Sequence, residues 1–101
     1  MSLRVACVQV TSGPSEAENI GIVAKLVTEA QQRGAVFVFM PENVGLFGPG
    51  DVMRGGAAPE DKHLALSEFR GLAAKLKVWM LIGSLAIRRK DNRLANRSYL
   101  I

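Results

Sequence analysis

Glu42 follows the run Phe37-Val38-Phe39-Met40-Pro41. A carboxylate there stands directly after an apolar segment of strand character that a proline closes. In open α/β sheets, sites gather outside the carboxyl ends of the strands. A side chain in that position rides on a rigid element yet faces a cleft. Apolar neighbours disfavour the charged form of a carboxyl group, and a group tuned in that way accepts and returns protons near neutral pH. Glu42 is therefore a candidate acid–base residue, although taken alone a Pro-Glu at a strand end is more commonly just the solvated start of a loop. Other reactive types carry less. Cys7 lies mid-strand in an apolar run, where a free cysteine behaves as a small buried hydrophobe rather than a nucleophile. His63 has no cysteine or carboxylate at metal-ligand spacing and is expected on a solvent-facing helix position. Trp79 is expected in the core. Gly48-Pro49-Gly50 and Gly55-Gly56 lack the Gly-Lys-Ser/Thr signature of a phosphate loop and read as flexible loop.

The elements that must position Glu42 follow from pattern. Leu3 to Val10 reads as a strand buried on both faces. Thr11 to Ser15 is a turn with helix-capping chemistry. Pro14 or Ser15 opens a helix, with Glu16 and Glu18 favourable in its first turn. The apolar stripe Ile20, Val23, Val27, Ala30 carries that helix to about Arg33, and Gly34 stops it. Ala35 to Met40 is a second buried strand, which Pro41 ends. Residues 42 to 59 form a loop long for a compact domain, and such loops are commonly functional or mobile. A second helix spans Glu60 to Leu76, with Leu64, Phe69, Leu72, Ala73 and Leu76 on its apolar side. Val78 to Ile82 is a third strand, punctuated by Gly83-Ser84 and extended by Leu85 to Ile87. After a turn at Asp91-Asn92, Ser98 to Ile101 begins a fourth strand, antiparallel to the third. The order β-α-β-α-β-β implies an α/β sheet with helices packed on it.

The chain of 101 residues suffices for one small domain. At 49% hydrophobic and 22% charged it has the composition of a globular protein, which excludes intrinsic disorder. No run approaches the ~18 apolar residues of a membrane span, so no membrane partner is expected. The opening Met1-Ser2-Leu3-Arg4 is a poor secretory signal. The single cysteine rules out an internal disulfide and fits a reducing, cytoplasmic compartment. The net charge of +4 is concentrated at Arg88, Arg89, Lys90, Arg93 and Arg97. These residues read as an anion patch or as a solvated hairpin tip. No aromatic residues interleave with them as single-strand binders require, so the hairpin tip is preferred and no nucleic-acid partner is expected. The chain stops inside an apolar strand pattern, which points to further chain.

Several stretches, in order, resemble the nitrilase superfamily, the carbon–nitrogen hydrolases. They are Arg4 to Val10 with its Gln9, Asn19 in the first helix, and Glu29-Ala30 with Gly34-Ala35. Val38 to Asn43, Leu81 to Leu85 and Asn96 to Ile101 complete the set. The resemblance covers residues 1–101 and implies the amino-terminal portion of a larger domain. The fold it implies is part of the family's α-β-β-α sandwich. The activity it implies is hydrolysis of a non-peptide carbon–nitrogen bond in a small molecule, an amide rather than a nitrile, by a Glu–Lys–Cys mechanism through a thioester. Glu42 matches the family's glutamate. The matching lysine and cysteine lie beyond Ile101, and Cys7, Lys62, Lys75, Lys77 and Lys90 match neither. The resemblance makes Asn43 to Phe47 candidate pocket lining and implies a homo-oligomer when complete, with no metal or organic cofactor. The alternative is a non-catalytic interaction or structural fragment whose unfinished sheet is available to a partner.

Overall fold

The computed structural model describes residues 2–101. Strands β1 (Val5–Cys7), β2 (Phe37–Met40), β3 (Trp79–Arg88) and β4 (Leu94–Leu100) form one sheet in the order β1-β2-β3-β4. The first three are parallel and β4 is antiparallel to β3. Helix α1 (Glu16–Gln32) links β1 to β2. The short helix α2 (Gly50–Gly56), a 3₁₀ turn (Glu60–Lys62) and helix α3 (Leu64–Leu76) link β2 to β3. Crossovers between parallel strands are right-handed. Two such crossovers stepping the same way across a sheet put both helices on one face. Accordingly α1 packs against α3, and α3 against β3.

The expected order β-α-β-α-β-β holds, with α2 added inside the segment read as loop. Local chemistry explains the boundaries. Ser15, rather than Pro14, caps α1 by accepting the Glu18 amide at 3.3 Å. Gly34 leaves the helix at φ +91°, a conformation costly for any side chain with a Cβ, and Arg4 lies across it to donate to the Arg33 carbonyl at 2.6 Å. Helix α3 begins at Leu64 rather than Glu60, because His63 caps it. The fourth strand begins at Leu94, earlier than Ser98. The third runs through Gly83-Ser84 as a bulged strand and continues through the expected extension to Arg88.

The core lies between the helices and one face of the sheet. Val23 and Val27 of α1, Leu66 and Phe69 of α3, Val38 of β2 and Met80 and Ile82 of β3 are almost wholly buried. Each such side chain contributes roughly 1.5–3 kcal/mol of transfer free energy. The other face of the sheet is uncovered. The register brings Val5 and Cys7 beside the stacked rings of Phe37 and Phe39, followed by Trp79 and Leu81 and then Leu100. Val5 is 47% exposed, and Trp79 and Leu100 are each 59% exposed.

Three expectations are corrected here. Strand β1 is not buried on both faces, because only its helix side is covered. Cys7 and Trp79 belong to the open face and are exposed rather than core. Leu64, expected on the apolar side of its helix, is also exposed, since α3 starts with that residue beyond the edge of the core. Among the described residues, no helix is long and apolar enough to cross a membrane.

Candidate active site

Glu42 sits in the turn that follows β2, and the backbone around it is fixed from three sides. On the first side, β3 carries a bulge. Ile82 pairs with Tyr99 but Leu85 pairs with Arg97, so Gly83 and Ser84 together oppose Ser98. An extra residue of this kind bends a strand and re-aims its side chains. Burial alternation along β3 flips there, and Ser84 and Leu85 are both buried. Ser84 turns its hydroxyl toward the site loop, accepting the Asn43 amide at 2.9 Å, and its carbonyl accepts the Val44 amide at 3.2 Å. The Ser98 hydroxyl donates to the Gly83 carbonyl at 2.6 Å and closes the bulge.

The second side is the chain itself. Asn43 takes a left-handed conformation at φ +50°, which Asn tolerates better than most residues and which turns the chain sharply after Glu42. Val44, Gly45 and Leu46 then dive into the body of the protein. A Cβ on Gly45 would come within 2.9 Å of Ala65 and 3.0 Å of Leu85. On the third side stands buried Asn19 of α1. Its side-chain amide donates to the carbonyls of Gly13 at 2.8 Å and Gly45 at 3.0 Å, and its Oδ1 accepts the Gly13 amide at 3.0 Å. The Ser12 hydroxyl donates to the Val44 carbonyl at 3.0 Å, and the Phe47 amide donates to the Gly13 carbonyl at 3.0 Å. One buried amide thus staples the loop after β1 to the loop after β2. Of the expected pocket lining, Val44 and Leu46 are buried, Asn43 is half-buried and Phe47 is exposed.

The carboxylate emerges on the uncovered face. Its Oε1 accepts the Asn96 side-chain amide of β4 at 3.1 Å. In β4, Arg97 and Tyr99 reach Glu60 on the helix side, so by strand alternation Asn96 and Ser98 stand on the open side. Glu42 therefore reaches across β3, which lies between β2 and β4, and it crosses at Gly83. A Cβ on Gly83 would fall 2.5 Å from the Met40 oxygen and from the carbonyl carbon and oxygen of Pro41. Only glycine lets the Pro41–Glu42 backbone pass so close. Among the described residues no cation forms a salt bridge with Glu42.

The enclosure expected for Glu42 is absent. The residue is exposed rather than ringed by apolar side chains, because the sheet face it stands on has no cover. A hollow of about 620 Å³ lies elsewhere, at the far end of β3, between Glu60, Arg88 to Asp91 and Arg97. There Arg88 donates to the Ala57 and Arg54 carbonyls and to Asn92, which ties the hairpin to α2. Beside it the Tyr99 hydroxyl donates to Glu60 at 2.5 Å. That hydrogen bond holds the Glu60 carboxyl below the ordinary carboxylate value, with Arg97 acting in the same direction. Burial, then the bond to Glu60, pushes the Tyr99 phenol up. His63 is not solvent-facing: it is 5% exposed, its Nδ1 accepts the Leu66 amide at 3.3 Å and its Nε2 meets the Ala86 carbonyl at 3.1 Å. Among the described residues, no three His, Cys, Asp or Glu side chains gather as a metal site.

A parallel βαβαβ sheet with one antiparallel edge strand, helices on one face and a carboxylate held on the other is an open two-layer α/β unit with one face of its sheet bare. The carbon–nitrogen hydrolase family model matches residues 4–101, and the chain belongs to that family. It is 32% identical over 97 residues to deaminated glutathione amidase of Rattus norvegicus, covering 94% of this chain and 29% of that one. An amidase from Nesterenkonia sp. superposes with a TM-score of 0.83 at 21% identity, over 97% of this chain and 37% of its own. Saccharomyces cerevisiae Nit3, a nitrilase-superfamily member, superposes with a TM-score of 0.85 at 21% identity, over 98% of this chain and 39% of its own. The chain thus spans about a third of the length of these relatives.

Proposed function

We propose that this chain is the amino-terminal part of a carbon–nitrogen hydrolase that cleaves small-molecule amides, with Glu42 as its general base. The observation that carries the reading is the placement of Glu42. An exposed carboxylate is held at the carboxyl end of β2 and aimed over the open sheet face by Asn96. The lysine and cysteine of the mechanism come from chain beyond Ile101, as the family resemblance implies. Glu42 takes the thiol proton, and the thiolate attacks the amide carbon. The lysine stabilises the oxyanion that forms. The amine leaves with a proton, and a thioester remains. Glu42 then removes a proton from water, which attacks the thioester, releasing the acid and restoring the thiol. Amide is favoured over nitrile because the rat and Nesterenkonia relatives are amidases.

The test is ammonia release from propionamide by the full-length protein and its Glu42→Gln variant. The expected result is a loss of about 10²–10⁴-fold in kcat with an unchanged unfolding midpoint. A variant as fast as the wild type removes Glu42 from the chemistry. A second reading, in which the 101-residue chain is an interaction module, is favoured by the exposed Val5, Trp79 and Leu100 side chains of the open face. A full-length protein that turns over no amide or nitrile selects it.

A further inference from the structure

We infer that Asn96 is the positioning residue of Glu42, and that the Gly83-Ser84 bulge is shaped to let this pair form across β3. This rests on the reading of Glu42 as the base. The two residues are 54 positions apart, and their side chains meet at 3.1 Å over a strand that lies between them. Three independent features permit the meeting. Gly83 presents no Cβ where the Pro41–Glu42 backbone crosses. Ser84 fixes the Asn43 and Val44 amides directly behind the carboxylate. Ser98, the neighbour of Asn96 on the same side of β4, holds the Gly83 carbonyl.

The chemistry of the donor matters. A lysine or arginine in its place would bind the carboxylate as a salt bridge and compete with the proton that a base must take up. A neutral amide instead directs one oxygen by a charge-assisted hydrogen bond and leaves Oε2 free for proton transfer. Both side chains are exposed in this chain, so the bond adds little to folding and its work is orientation. Misplacing a catalytic group by about 1 Å costs on the order of 10²-fold in rate.

The experiment has two arms. In the ¹⁵N-labelled 101-residue chain, the side-chain amide protons of Asn96 are followed through an acid titration. They are expected to shift with the protonation of one carboxylate in the wild type and to lose that response in Glu42→Gln. In the full-length protein, propionamide turnover is compared for Asn96→Ala and Asn96→Asp. The Asp variant keeps the shape but cannot donate when ionised. Both are expected to lower kcat roughly ten- to a hundredfold, Asp more than Ala, with KM held within about twofold. An Asn96 amide indifferent to Glu42→Gln, or an Asn96→Asp enzyme with wild-type kcat, overturns the inference. If Glu42→Gln is inactive while Asn96→Asp is not, the base survives and the positioning role alone falls. If Glu42→Gln is fully active, the proposed function falls and this inference with it.

Discussion

Replacing Gly83 by alanine tests the geometry of the crossing directly. The added methyl would sit 2.5 Å from three backbone atoms of Met40 and Pro41, whereas ordinary contact begins near 3.4 Å. The Pro41–Glu42 peptide must retreat by about 0.9 Å, and it has little freedom to do so. It is hydrogen-bonded to β3 on one side through Asn43 and Val44, and tied through Gly45 to Asn19 on the other. Overpacking against atoms that cannot yield costs about 1–3 kcal/mol. A displacement of this size along the Glu42–Asn96 bond stretches 3.1 Å to about 4.0 Å, beyond hydrogen-bonding range. The matching control is Gly21→Ala. Gly21 lies inside α1 with nothing within 4 Å of a built Cβ, so alanine there stabilises by roughly 0.5–1 kcal/mol. Urea unfolding of the two variants should therefore move in opposite directions from the wild type. The Asn96 amide signal should shift in Gly83→Ala and stay in place in Gly21→Ala. A Gly83→Ala chain with wild-type stability and an unmoved Asn96 signal would refute the close crossing and the aim it gives Glu42.

Three other perturbations follow from the same geometry. Asn19→Ala removes the staple between two loops and leaves the Gly13 amide and the Gly13 and Gly45 carbonyls without it. It should cost roughly 2–3 kcal/mol by urea unfolding and speed hydrogen exchange at Val44 to Phe47. His63→Ala removes the cap of α3 and should cost about 1–2 kcal/mol, with the first turn of α3 losing helical carbonyl shifts in NMR. The Glu60–Tyr99 bond sets a pH window. Glu60 has a lowered folded value, so its contribution is present above about pH 4.5 and is lost as pH falls through that lowered value. Tyr99 has a raised one, so its contribution is present below about pH 10 and is lost as pH rises through the raised value. The stability gap between wild type and Tyr99→Phe, measured by urea unfolding, should be level inside this window and shrink on the acid side. A gap that widens in acid contradicts the assignment.

Much of this architecture is legible in the residues. The Ile20-Val23-Val27-Ala30 stripe, the Ser15 cap with acidic neighbours and the Gly34 stop are local devices, and each acts where its pattern says. Parallel β1–β3 follow from the alternation of strand and helix. What fails is burial on the second face. Leu3 to Val10 reads as buried on both faces and Trp79 as core, and nothing in a run of apolar residues tells a covered face from a bare one. That single gap misplaces Cys7 and Trp79 and gives Glu42 an enclosure it lacks. The position of Glu42 at a strand end is readable from Pro41. Its partner is not, because Asn96 is distant in sequence and reaches Glu42 only through the bulge. The dipeptide Gly83-Ser84 sits at that bulge, but in the sequence it reads only as punctuation of the strand. His63 escapes for a similar reason: histidine is an uncommon cap, and its Nε2 meets the carbonyl of Ala86, a residue remote in the chain.

The bare face and the carboxylate share one surface. A layer that covers Phe37 and Phe39 of β2, Trp79 of β3 and Leu100 of β4 lies on the side of the sheet where Glu42 meets Asn96. Under the proposed function, shielding the rings from solvent and excluding water from around Glu42 would then be a single event, and electrostatic interactions there would strengthen as water leaves. In the chain as it stands, Glu42 is exposed to bulk water, and under the proposed function its work as a base awaits such a layer.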